Sequence, residues 1–142
     1  MTTNSASARY EGFGKNGMGA ISTRSGVLSD QPYGFGTRFE GQPGTNPEEL
    51  IAAAHAACFT MATSFALASA GHSDGTLETD CVVTLDKEDA GFKVTKSALS
   101  LTATIPGISE EDFARIADDA KANCPISKLL NCEVTLEKSL AG

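Results

Sequence analysis

Tryptophan is absent from this 142-residue chain, and aromatic side chains make up only 6% of it. Any core must therefore be built from aliphatic and small residues, which the 41% hydrophobic content supplies. Basic residues are also sparse, 11 Lys and Arg against 18 Asp and Glu, for a net charge of −7. With no basic run to neutralise a row of phosphates, a nucleic-acid partner is excluded. His55 and His72 are the only histidines, and no Cys-x-x-C pair occurs among Cys58, Cys81, Cys124 and Cys132. A structural zinc site would lack its usual ligand spacing, so no metal or bound cofactor is expected. The opening MTTNSASARY has neither a basic start nor an apolar stretch. No secretory leader is expected, and the chain reads as cytoplasmic. Stable disulfides are unusual there, and cysteines serve packing, metal binding or redox chemistry instead.

No repeat or linker divides the chain, so a single domain over 1–142 is expected, with N-terminal strands in 8–39, a central helix over 47–70, and further strands and helices in 78–140. Asn16-Gly17 reads as a tight hairpin turn between strands near Ala8–Phe13 and Met18–Thr23. From Gln31 to Gly44 the glycines and prolines are too dense for a regular element, which leaves a connector or an adaptable loop. Asn46 then suits a helix cap, Pro47 the first helical position and Glu49 the third position of a capping box. The apolar pattern continues to Gly71, a natural stop. This helix of about 36 Å is rich in alanine and carries His55 and several hydroxyls, so a membrane span is not expected. It asks instead for cover on nearly all sides. One chain of this length has little left to provide it, so a homodimer with these helices at its centre is expected.

After Gly71 the period changes to two. Cys81, Val83 and Leu85 mark the inner face of a strand, and Phe92 to Ile105 reads as a second strand. Its apolar phase shifts near Ala98, which a bulge would explain. Ser109 opens a helix with Phe113, Ile116, Ala117 and Ala120 on one face, a short helix over Ile126 to Leu130 follows, and Cys132, Val134 and Leu136 lie inward on the last strand. The fold class is α+β.

Four side chains carry the chemical argument. Cys124 precedes Pro125 at a helix start, where free N–H groups and the helix dipole favour an anion, or where the thiol simply caps the helix. Cys58 lies mid-helix among Ile51, Ala54, His55, Met61, Ala62 and Phe65, an apolar setting that raises a thiol pKa, so as a nucleophile it would need a cation brought to it. Glu48 is left over once Glu49 has capped the helix. It lies about 15 Å along the axis from Cys58, too far to touch the thiol but able to orient such a cation. His55, one turn before Cys58, allows a Cys–His couple, though with poor geometry for proton transfer. Cys81 and Cys132 read as packing residues.

The stretch TNPEELIAAAHAACFTMA, with QPYGFGTRFEG before it and ANCPISKLL after it, resembles the osmotically inducible protein C (OsmC) family, which includes the organic hydroperoxide resistance (Ohr) proteins. The His55-bearing helix and the QPYGFGTRFEG segment are similar to the OsmC branch, since the Ohr branch usually has Gly-Tyr before Ala-Ala-Cys. The resemblance implies an OsmC-like fold of strands around a long buried helix, in an intertwined homodimer. It implies a stress-defence thiol peroxidase that favours organic hydroperoxides over hydrogen peroxide and is recycled by an external, dihydrolipoyl-type dithiol. By the same resemblance Cys58 is the peroxidatic and Cys124 the resolving cysteine, and an arginine held by Glu48 activates Cys58. Arg38 is the candidate, with Arg24 and Arg9 as alternatives. A Cys–His hydrolase and a non-enzymatic stress protein are the competing readings.

Overall fold

A computed structural model describes residues 1–141. The chain forms two compact units, Met1–Leu50 and a second beginning at Ile51.

In the first unit β1 (Ala6–Glu11), β2 (Met18–Thr23) and β3 (Gln31–Tyr33) form an antiparallel sheet in the order β1-β2-β3. The β1–β2 hairpin forms, but not through a two-residue turn at Asn16-Gly17. A short 3₁₀ turn, Gly14–Asn16, fills the connection, and Gly17 itself has φ −73°. Gly17 is required for a different reason: a Cβ there would lie 2.3 Å from the Tyr10 ring. The segment after Gln31 is also more regular than its composition suggests. Pro32 sits on an edge strand, where its missing N–H is tolerated, and α1 (Phe35–Phe39) follows directly.

Helix α2 (Pro47–Ser69) begins and ends where the local chemistry dictates. Asn46 Oδ1 accepts the Glu49 N–H at 2.8 Å. The reciprocal half of the capping box is replaced, because Glu49 accepts from the Thr45 hydroxyl at 2.8 Å. At the far end the His72 N–H donates to the Leu67 carbonyl and the Gly71 N–H to that of Ala68, with Gly71 at φ 94°, the hydrogen-bond pattern of a Schellman stop.

In the second unit β4 (Thr76–Glu88), β5 (Gly91–Thr104) and β6 (Glu133–Leu140) form a sheet in which β5 pairs antiparallel with β4 and parallel with β6. The register shifts where Thr84 faces Lys96 and Leu85 faces Val94, so the extra residue is Thr95. This is three positions before the bulge expected from the hydrophobic phase; Ser97 is fully buried in line with Leu99 and Leu101, and a polar residue in the inner row hides the true shift. Between β5 and β6 run α3 (Glu110–Asn123), capped by Ser109, and α4 (Pro125–Leu129).

Phe59 and Leu67 of α2, Leu99, Leu101 and Ala103 of β5, and Phe113, Ile116, Ala117 and Ala120 of α3 form the core. Helix α2 is not covered all round within the chain. His55, Phe59, Thr63 and Leu67 form its buried stripe at four-residue spacing, while Met61 and Phe65 are 63% and 69% exposed.

Candidate active site

Cys58 and Cys124 come together. All four cysteines are free thiols, and Cys58 on α2 lies near enough to Cys124 at the start of α4 for the two thiols to influence each other's charge. Burial pushes the Cys58 thiol above its ordinary value, the backbone N–H of Ile126 pulls it back, and the neighbouring Cys124 pushes it up again. A thiol so placed stays protonated at neutral pH unless a cation is supplied.

Cys124 sits where the local reading put it. It is 1% exposed and is the N-cap of α4, with Pro125 at the first helical position. Its sulfur accepts the Ser127 N–H at 3.3 Å and donates to the Ser127 hydroxyl at 3.1 Å. The anion-favouring and capping readings describe the same arrangement, because the N–H that caps a thiol also stabilises a thiolate.

Arg38 and Glu48 also meet, within the first unit. The guanidinium binds the carboxylate through two parallel bonds, Nε to Oε1 at 2.7 Å and Nη2 to Oε2 at 2.8 Å. This fork-to-fork geometry fixes the plane of the guanidinium as well as its position, and the pairing raises the Arg38 pKa further. Glu48 is therefore more than a first-turn acid serving the dipole. Of the alternatives, Arg9 is tied to Glu11 at 2.8 Å on an exposed surface.

Arg38 borders a cavity of about 400 Å³ whose walls include Tyr10, Tyr33, Phe35, Phe39 and Pro47. Tyr10 and Tyr33 meet edge to face, and the Phe39 ring lies 5.5 Å from the Arg38 guanidinium. Sequence reasoning missed this aromatic lining. A signal was present, since Tyr10, Phe13, Tyr33, Phe35 and Phe39 put most of the scarce aromatics into the first 39 positions. The α2 face also contributes a shallow groove, with Met61 and Phe65 in its lining beside Ala56, Ala57 and Thr60.

His55 does not serve Cys58. It is fully buried, and its two ring nitrogens are engaged by Ser97 at 2.6 Å and Ser127 at 2.7 Å. Cys81 is a partly buried residue packed against the core, as expected, and its sulfur lies 3.2 Å from the Ser97 hydroxyl.

An α+β chain with a long capped helix that presents one thiol to a second at the start of a short helix belongs to the OsmC-like protein family, whose family model matches residues 39–138. Within it, the chain is 54% identical over 133 residues to the peroxiredoxin OsmC of Escherichia coli (strain K12), covering 94% of this chain and 93% of that protein. It is 32% identical to the organic hydroperoxide resistance protein OhrB of Bacillus subtilis (strain 168), over 84% of this chain and 88% of that one. The crystal structure of B. subtilis OhrB superposes with a TM-score of 0.72 at 30% identity, covering 97% of this chain and 98% of that chain. An organic hydroperoxide resistance protein from Elizabethkingia anophelis gives 0.76 at 29% identity, covering 99% and 98%. The α+β, OsmC-like architecture expected from the residues and the resemblance is the one found.

Proposed function

We propose that this chain is a cytoplasmic two-cysteine peroxidase that reduces organic hydroperoxides, and hydrogen peroxide less well, in defence against oxidative stress. The observation that carries the reading is the closeness of the free thiols of Cys58 and Cys124, each within reach of the other's charge. Two thiols in that relation can close to a disulfide with little rearrangement. The Cys58 thiolate attacks the distal oxygen of the O–O bond, the alcohol leaves, and Cys58 becomes a sulfenic acid. Cys124 then displaces water from that sulfur to form the disulfide, and an external dithiol of the dihydrolipoyl kind returns both thiols by exchange. The need for such a reductant supports a cytoplasmic setting.

The cation that Cys58 needs is assigned to Arg38. Glu48 holds its guanidinium in a fixed plane, so little ordering is left for the moment of reaction. The aromatic cavity bordered by Arg38 suits an alkyl or aryl hydroperoxide better than the small, polar hydrogen peroxide. The open face of α2, with Met61 and Phe65, supports a homodimer that covers it. The Cys–His hydrolase reading lacks the direct contact it requires, since His55 is bonded to Ser97 and Ser127 and not to Cys58.

The reading is tested by intact mass spectrometry after one equivalent of cumene hydroperoxide. Cys124→Ser should hold Cys58 as the sulfenic acid or a higher oxide, whereas the parent should carry a Cys58–Cys124 disulfide. An unoxidised Cys58 in both proteins would sink the proposal. For the cation, Arg38→Ala should raise the Cys58 pKa, followed by pH-dependent alkylation. An unchanged titration would remove Arg38 from the site.

A further inference from the structure

A fully buried histidine needs partners on both nitrogens, and two serines satisfy that need. Here the serines do not end the chain of contacts. From Cys124 Sγ the bonds run to Ser127 Oγ at 3.1 Å, from Ser127 Oγ to His55 Nε2 at 2.7 Å, from His55 Nδ1 to Ser97 Oγ at 2.6 Å, and from Ser97 Oγ to Cys81 Sγ at 3.2 Å. The line joins the start of α4, the middle of α2, the inner row of β5 and β4. His55 and Ser97 are 0% exposed, Cys124 is 1% exposed and Cys81 is only partly buried. One end is therefore a sealed thiol and the other a thiol nearer to solvent.

The direction of the bonds is self-consistent. The Cys124 thiol donates to Ser127, whose hydroxyl then donates to Nε2. The neutral imidazole carries its proton on Nδ1 and donates it to Ser97, whose hydroxyl is left to donate to Cys81. Burial holds the His55 pKa below its ordinary value, so the ring starts neutral and Nε2 is free to accept.

We propose that Ser127 and His55 form a proton relay that deprotonates Cys124 during the resolving step. This rests on the two-cysteine reading above. The Cys124 proton passes to Ser127 as the Ser127 proton passes to Nε2, giving an imidazolium and a thiolate. The new Ser127 hydrogen points back at the sulfur, so the thiolate accepts from both the N–H and the O–H of Ser127. The Cys124 sulfur then attacks the sulfenic sulfur of Cys58, the S–S bond forms and the S–O bond breaks. The departing hydroxide takes up one proton as water, and the imidazolium returns one, so protons and electrons balance without a further reactant. His55 acts through Ser127 and is a positioning residue; it touches no peroxide atom.

The experiment is rapid-quench oxidation of the full-length reduced protein with cumene hydroperoxide, trapping sulfenic acid with dimedone and counting the disulfide by mass spectrometry. This gives separate rates for Cys58 oxidation and for disulfide closure. In Ser127→Ala the ratio of closure to oxidation should fall about tenfold or more, and Ser127→Thr should recover most of it because a hydroxyl is restored. His55→Gln, which keeps hydrogen-bonding capacity but accepts no proton, should behave as Ser127→Ala does. Closure in the parent should slow about twofold in deuterium oxide, an effect lost in Ser127→Ala. Unchanged closure in Ser127→Ala overturns the relay. Equal losses in the alanine and threonine variants also overturn it, since they would show a packing role. Absence of Cys58 oxidation in the parent instead overturns the peroxidase reading, and the relay with it.

Discussion

Cys58→Ser is expected to lower hydroperoxide turnover by at least about 10³-fold in a coupled assay with a dithiol reductant. The size of the effect follows from the role proposed for the sulfur, because in that cycle no other atom accepts the peroxide oxygen. Serine keeps the volume of the side chain, and the neighbouring core positions Phe59 and Ala62 should not notice the change. An unaltered melting temperature would therefore accompany the lost rate. Binding of hydroperoxide in the aromatic cavity should also persist, since its walls belong to other residues. Turnover retained within about tenfold of the parent would transfer the chemistry to another thiol. Cys81 would be next in line, although burial pushes its thiol up, the Ser97 hydrogen bond only partly offsets this, and the neighbouring Cys132 pushes it further in the same direction.

The second large effect concerns stability. Phe59→Ala should destabilise the fold by about 3–5 kcal/mol, measured by urea unfolding at fixed protein concentration. Phe59 is fully buried at the centre of the α2 stripe, in one cluster with Leu99, Leu101 and Phe113. Removing the ring leaves a cavity that three separately anchored elements cannot close by small shifts. Set against the usual 5–15 kcal/mol for a domain, such a loss takes away a large part of the total. Cys124 belongs to the same cluster, so disulfide closure should slow as well. A loss below about 1 kcal/mol would place the core elsewhere.

Much of the architecture could be read from residue order, because its signals are local. Asn46, Pro47 and Gly71 bracket α2 through caps that act within one turn of the helix, and Ser109 does the same for α3. Strand positions follow from alternation on β4 and β5. What failed to be legible depended on contacts remote in sequence. Gly17 was read for its torsional freedom, yet the nearby Tyr10 ring is what demands it. Thr95 was not identified as the extra residue because Ser97, a polar side chain, occupies the inner row. Segment 31–44 holds a strand and a helical turn that its composition disguises.

The candidate site divides along the same line. The setting of Cys124 was legible, since its capping geometry is written in Cys-Pro. That Cys58 lies against it came only through family resemblance, because the apolar neighbours of Cys58 argue for an inert thiol. The partners of His55 could not be foreseen. Ser97 and Ser127 are separated from it by strands and helices, and spacing along one helix says nothing about what crosses from another. Arg38 and Glu48 lie between these extremes: Glu48 stood out as a spare acid, while the aromatic walls beside Arg38 were overlooked.

The parallel pairing of β6 with β5 has a consequence for synthesis. Helix α2 is made of contiguous residues and can form as soon as they leave the ribosome. The segment bearing Cys124 joins two strands that pair only when the final stretch, Glu133–Leu140, has been delivered. Under the proposed cycle, an unfinished chain thus carries its nucleophile without the second thiol in place. Oxidation at that stage has no intramolecular exit, and the nascent protein is most vulnerable just before it becomes protective.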